Sequence, residues 1–397
     1  MKLIDRTEYL EQLIHLQGTP DIKVITGIRR CGKSKLMDAF MEYVRIHIPS
    51  ANIVHINFNQ SEYDALLIGS ALEAYVKQNY CSGCTNYLFI DEVQMCNGFE
   101  KAINSLHDSG CWDIYITGSN AFLLSSDLAT LFTGRVMTIE VYPFSLKEYM
   151  LYFAYDDPQI ALDSYLRIGG MAGSYLYTDE RYRHRYVADV FDTLILRDIR
   201  TKHKLRNSVV LDRLCDYMLD NAGNITSVRN IAISLVNNHI ATNDKTIGAY
   251  LNYLCNAFAF YKIRRYDVRG RGYIASQDKY YLADYSFKYA KLGLRNLDYG
   301  RAYENIVAIE LLRRGYDIYV GQLYQKEIDF VAMRGSEKIY IQVCDDLSSA
   351  ETLQREVAPL LQIRDAYPKW LIARTRHPEY DYQGIRVLDL ATWLINP

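Results

Sequence analysis

Short apolar runs alternate with helical stretches along the first third of the chain. The runs are Ile22–Thr26, Ile53–Phe58, Tyr87–Asp91, Ile114–Thr117 and Val136–Val141, each of strand length and rich in β-branched or aromatic residues. Between them, Lys35–Val44, Ala71–Gln78 and Gly98–Ser109 carry the spacing of amphipathic helices. Strands separated by helices predict a parallel sheet covered on both faces, an α/β fold.

From residue 146 the pattern changes. Residues 146–205 read as helical and rich in tyrosine, a lid or linker. Three short helices follow, near Val209–Asp220, Ser227–Leu235 and Asp244–Asn256, then a β-ribbon at Phe258–Tyr266 and Tyr273–Leu282. Ser227 and Asn243 stand where N-caps belong. The last hundred residues mix a helix, strands, a second helix and further strands. The expected division is therefore 1–145, 146–205, 206–295 and 296–397.

Composition changes this picture little. With 397 residues, 49% hydrophobic and 23% charged, the chain has material for several ordinary cores. A net charge of −2 gives no whole-chain pull toward nucleic acid, so any such signal must be regional. No apolar run reaches membrane length, and Met1–Arg6 is not a signal peptide, so a cytoplasmic address is expected. The eight cysteines are scattered, which suits reduced thiols. Cys81 and Cys84 form a close pair without the second pair a zinc site needs, and are expected as free thiols on a loop. The 35 tyrosines suggest a surface rich in amphipathic rings.

Chemistry enters at Gly27-Ile28-Arg29-Arg30-Cys31-Gly32-Lys33-Ser34, a complete G-x-x-x-x-G-K-S loop between the first strand and a helix. Gly27 and Gly32 permit backbone angles that turn amides toward a phosphate, and the helix presents its positive end. Arg30, Cys31 and Lys35 complete the candidate nucleotide contacts. Lys33 would reach the β- and γ-phosphates, and the Ser34 hydroxyl would ligate Mg²⁺. The third strand ends in Asp91-Glu92. A carboxylate there can hold the Mg²⁺ shell, which suits Asp91, and its neighbour Glu92 is the candidate base for the attacking water. The fourth strand ends in Thr117-Gly118-Ser119-Asn120. Ser119 and Asn120 are candidate γ-phosphate sensors, although a helix cap explains Ser119 equally well. Gly134-Arg135 precedes the fifth strand; Arg135 could meet developing phosphate charge in cis or across a subunit boundary, or be a surface turn arginine.

Together, the loop, Asp91-Glu92, Thr117-Gly118-Ser119 and Gly134-Arg135 followed by Tyr142-Pro143-Phe144-Ser145 resemble one family. It is that of prokaryotic AAA-superfamily ATPases with a C-terminal domain of unknown function. The resemblance covers nearly the whole chain. It implies a five-stranded core in the order 5-1-4-3-2, ATP rather than GTP as nucleotide, and a helical lid containing the Gly169-Gly170 step.

Two C-terminal segments carry further signals. Residues 206–295 hold thirteen Lys/Arg and seven Asp with no Glu, hence six net positive charges. Three helices and a basic ribbon read as a winged helix. Asn243, Lys245, Thr246, Tyr250 and Asn252 would face a DNA groove, and Arg264, Arg265, Arg269 and Arg271 would lie against phosphates. A packing or protein-binding role competes with that reading. Arg181–Tyr186 interleaves cations and rings, which fits either nucleic acid or a solvated helix face. The tail resembles the restriction-endonuclease-like fold, with Glu304, Asp329 and Gln342 at acidic or amide positions. Cys344 stands where that site needs lysine, so the chemistry is expected to be lost.

The sequence thus predicts an Mg²⁺-dependent ATP-binding, ATP-hydrolysing protein that couples nucleotide state to DNA or a protein partner. An ATP-dependent nuclease and a nucleotide-gated interaction module without DNA binding are the alternatives.

Overall fold

A computed structural model describes residues 4–118, 132, 134–193, 199–205, 208–270, 272–293 and 298–396. They divide into two compact units, one built on residues 2–141 and the other on 142–255 and 259–397.

The first unit begins with α1 (Thr7–Leu16) and β1 (Ile22–Thr26), then α2 (Lys33–His47) and β2 (Ala51–Asn57). It continues through α3 (Gly69–Gln78), β3 (Thr85–Asp91), α4 (Phe99–Asp108), β4 (Asp113–Thr117) and β5 (Val136–Glu140). Among the described residues these strands form one parallel sheet in the order β2-β3-β4-β1-β5, as the family resemblance implied. Burial explains the order. All of β1 is buried and β3 is buried from Asn86 onward, as central strands must be, whereas β2 and β5 are only partly covered. One face packs Leu72, Val76, Phe99, Ile103 and Leu106 against Val24, Ile56, Leu88 and Ile116. The other carries Phe40, Phe89 and Tyr115, with Phe40 and Phe89 ring centres 4.9 and 5.0 Å from that of Tyr115. Cys81 and Cys84, expected as free thiols, bring their sulfurs side by side on the loop before β3.

The second unit opens with three helices, α5 (Leu146–Phe153), α6 (Pro158–Ile168) and α7 (Glu180–Thr193). Ser145 and Glu148 form a capping box that starts α5. Rings of Tyr149, Tyr152, Phe153, Tyr165 and Tyr175 pack together between these helices. Many tyrosines are thus interior, at 149, 165, 175, 281 and 340 among others, which corrects the expectation of a tyrosine-covered surface. The Gly169-Gly170 step has a steric cause. A side chain on Gly169 would collide with Asp284, and the Gly170 amide donates to Asp284 Oδ2 at 2.6 Å.

Next come α8 (Ser208–Asp220), α9 (Val228–Asn237) and α10 (Asp244–Asn256), then the hairpin β6 (Phe260–Asp267) and β7 (Gly272–Leu282). Both expected caps are made: Ser227 Oγ accepts from Asn230 N at 3.2 Å and Asn243 Oδ1 from Thr246 N at 2.9 Å. After α11 (Ser286–Leu292) and α12 (Tyr299–Arg313) come β8 (Asp317–Leu323), β9 (Lys326–Arg334) and β10 (Glu337–Cys344). The chain closes with α13 (Ala350–Leu361), β11 (Lys369–Ala373), β12 (Tyr380–Tyr382), β13 (Ile385–Asp389) and α14 (Leu390–Ile395).

The hairpin does not stand apart. β6 pairs in parallel with β8 from Arg265↔Val320 to Asp267↔Gln322. The result is one eight-stranded mixed sheet in the order β12-β13-β11-β10-β9-β8-β6-β7 among the described residues. The expected boundary at 295/296 therefore falls inside a single sheet, and the boundary at 145/146 gives way to a division after Val141. Among the described residues no helix is long and apolar enough to cross a membrane.

Candidate functional site

The carboxyl ends of β1, β3 and β4 meet at one edge of the first sheet. Register places Ile25 beside Thr117 and Ile90 beside Ile116, so the residues that follow converge there.

The loop after β1 is shaped by its glycines. Gly27 has φ +128°, and an added Cβ would lie 2.1 Å from the Val141 carbonyl oxygen. Gly32, at φ +105°, caps α2, whose first residue is Lys33. Arg30 is left-handed too, at φ +68°. Lys33 is buried, and its Nζ donates to the carbonyls of Gly27 and Ile28 at 2.9 and 3.0 Å. The ammonium thus lies within the curl of the loop. Ser34 follows in the first turn of α2. Cys31 is buried, and its carbonyl accepts from Arg6 Nη1 at 3.0 Å. Arg6 itself lies over the Tyr9 ring, 4.5 Å from its centre. Lys35 is exposed and bonds Asp38 at 2.8 Å along the outer face of α2.

Asp91 is buried at the end of β3, and the Thr117 hydroxyl donates to its Oδ1. Thr117 Oγ1 in turn accepts from the Glu92 amide at 3.2 Å. Glu92 has φ +56°, an uncommon conformation for a residue with a Cβ, and accepts a hydrogen bond from Gln94 Nε2. His55 on β2 is half-buried, and burial pushes its imidazole below the ordinary value against the opposing pull of Asp38 and Asp91.

Thr117, Gln94 and Arg6 were not singled out as site residues in the sequence. Thr117 carried a signal as a polar tip of β4; Arg6 and Gln94 carried none, since only folding brings them to these partners. Ser119 and Asn120 lie outside the described residues.

Arg135 lies away from this edge, which speaks against the role in cis and leaves the other two open. It precedes β5 at the opposite edge of the sheet, where its carbonyl accepts from Ile22 N at 2.9 Å and its guanidinium pairs with Asp108. The five residues of β1, at about 3.3 Å each, separate it from the loop by roughly 16 Å. It does not reach the phosphate loop of its own subunit.

The second unit gathers its own charged cluster. Lys279 on β7 donates to Glu304 on α12 at 2.6 Å and pairs with Glu327 on β9 at 2.6 Å. Tyr281 also donates to Glu304. Asp329 Oδ2 accepts from Val343 N at 2.8 Å. Burial and then the Glu304 charge push Asp329 well above the ordinary carboxyl range, against Lys279 and the Val343 amide. Gln342 instead reaches Glu356, at 3.4 Å, and Cys344 is buried, with burial pushing its thiol up to about 11. The sequence did not foresee Lys279 here, because its strand belongs to the preceding hairpin.

The groove-facing set is partly overturned. Asn243, Lys245 and Asn252 are exposed, but Tyr250 is buried in the packing face of α10. Lys262 pairs with Asp278, Arg265 bonds Gln277, Lys288 and Lys291 pair with Asp220 and Asp192, and Arg269 lies over Tyr324. Arg264 is exposed, and Arg271 lies outside the described residues. In the Arg181–Tyr186 run, Arg181 pairs with Asp179 and Arg183 donates to the Tyr177 carbonyl, as a helix-face role requires.

Comparison with known proteins agrees with this architecture. Residues 19–150 match the family model of an AAA domain, and residues 159–298 match that of a domain of unknown function, DUF8612. The latter spans the segments expected as separate lid and winged helix. An uncharacterised protein of Haemophilus influenzae is 36% identical over 399 residues, covering 99% of each chain. An uncharacterised protein of Methanocaldococcus jannaschii is 27% identical over 376 residues, covering 90% of this chain and 82% of that one. Among solved structures, a Walker-type ATPase of Pyrococcus abyssi aligns with 72% of this chain and 95% of its own at 16% identity, with a TM-score of 0.45. On the full-length match, the chain belongs to the same family as the Haemophilus influenzae protein, and it carries an AAA domain followed by DUF8612.

Proposed function

We propose that the protein is an Mg²⁺-dependent ATPase whose second unit passes the nucleotide state to a binding partner. The observation that carries the ATPase reading is the meeting of the Gly27–Ser34 loop with Asp91 and Glu92 at one sheet edge, joined through Thr117. Lys33 would exchange its loop carbonyls for phosphate oxygens. Glu92 would take a proton from water as the water oxygen bonds the γ-phosphorus and the bond to the β-phosphate oxygen breaks, giving ADP and phosphate. The Ser34 hydroxyl and Asp91 are hard oxygen donors that fit Mg²⁺ completed by phosphate oxygens. Among the described residues no cluster of three or more His, Cys, Asp or Glu could hold a metal alone. Mg²⁺, when bound, supplies charge neutralisation along the triphosphate.

For the second unit we favour partner coupling over DNA reading. Support comes from cations at 262, 279, 288 and 291 that are paired internally, and from β6 being paired along β8. The test is ATP turnover with Mg²⁺, with and without mixed-sequence DNA, for wild type, Lys33→Ala and Glu92→Gln. Turnover lost in both variants supports the site. Binding without turnover in wild type would reduce the domain to a nucleotide-gated module.

A further inference from the structure

The Thr117 hydroxyl is used in both directions: it donates its proton to Asp91 and accepts from the Glu92 amide. The backbone at Asp91-Glu92 is thereby pinned. Glu92 in addition sits at φ +56°, and the 3-10 turn that follows is closed by Met95 N to Glu92 O and Cys96 N to Val93 O, each 3.0 Å.

That turn folds the side chain of Gln94 back onto the Glu92 carboxylate, with Nε2 donating to Oε2. The amide can face it only this way round, because a carboxylate is an acceptor and the amide nitrogen is the donor. The other end of the same amide, Oε1, is buried and has no hydrogen-bond partner among the described residues. A buried amide oxygen without a partner is costly, so its retention beside a candidate base calls for a reason.

We propose that Gln94 is a positioning residue for hydrolysis: Nε2 fixes the rotamer of Glu92 and so aims its carboxylate at the attacking water. A base held in one rotamer avoids the loss in rate that follows from misplacing the water. This rests on Glu92 acting as the base.

The test compares kcat and KM for MgATP in wild type, Gln94→Met, Glu92→Gln and the double variant, with MgADP binding and the thermal midpoint as controls. Gln94→Met keeps the volume and removes both polar atoms. It is expected to lower kcat roughly tenfold, the scale of one lost hydrogen bond to a charged group, with KM unchanged. In the Glu92→Gln background the same change is expected to have no further effect, because Gln94 acts through Glu92. Unchanged kcat in Gln94→Met, a rise in KM alone, or fully multiplicative losses would overturn the proposal. Wild type that binds MgATP without turnover would instead sink the ATPase reading itself.

Discussion

Lys279 Nζ lies 2.6 Å from Glu304 Oε1, which joins the hairpin strand β7 to helix α12 across the edge of the large sheet. The same ammonium pairs with Glu327, and Asp329 adds to its field. Burial alone would depress the lysine, but Glu304, Asp329 and Glu327 together raise it. One cation therefore pairs with two carboxylates and partly offsets the burial that favours the neutral form of Asp329.

Lys279→Met should destabilise the second unit by about 3–5 kcal/mol, the cost of stripping the partner from buried charges. The sign of its pH dependence follows from the carboxyls. Asp329 is raised by the fold, so its contribution is present at acid pH and lost as pH rises through the raised value. Removing Lys279 takes away the charge that holds Asp329 down, so the loss extends further toward alkaline pH. Urea midpoints from mildly acidic to mildly alkaline pH should decline more steeply in the variant; parallel curves would contradict this.

The same cluster argues against strand cleavage. Lys279 is 5% exposed and neutralises the acidic groups that a nuclease would give to metal. Incubation of plasmid DNA with Mg²⁺ or Mn²⁺ should leave it intact with or without ATP. Nicking that disappears in Asp329→Ala would restore the nuclease reading.

Thr117→Val removes the donor to Asp91 and the acceptor for the Glu92 amide while preserving shape. Turnover should fall by roughly 10- to 100-fold, as for a hydrogen bond to a charged group, with nucleotide affinity nearly kept. Equal turnover in wild type and variant would show that the bridge is incidental.

Arg135→Ala should leave turnover unchanged in dilute protein, since the guanidinium pairs with Asp108 at the far edge of the sheet. A defect that emerges only as protein concentration rises would assign it to a neighbouring subunit.

DNA affinity should be weak and only shallowly dependent on salt, because Lys262, Lys279, Lys288 and Lys291 are already paired within the protein. Fluorescence anisotropy at low salt is the measurement, with Lys245→Ala and Arg264→Ala as variants. Tight binding that survives physiological salt would favour the DNA reading.

Local chemistry determined much of this in advance. A G-x-x-x-x-G-K-S loop works through residues close in sequence, and the first, third and fourth apolar runs end where their strands do, so Lys33, Ser34, Asp91 and Glu92 could be named as candidates from the chain. The caps at Ser227 and Asn243 were legible for the same reason. Contacts between distant residues were not. Arg6 meets Cys31, Thr117 bridges Asp91 and Glu92, and Lys279 reaches Glu304, each across separations that no sequence spacing encodes. Arg135 is the reverse case: its spacing suggested a role, but it precedes a strand whose parallel register puts that end away from the loop of the same chain. Sequence determined the elements and the loop, because both follow from backbone preference and hydrophobic period. Tertiary structure alone decided which strands of the second unit share a sheet and which charges meet, because strand pairing and burial join residues far apart along the chain.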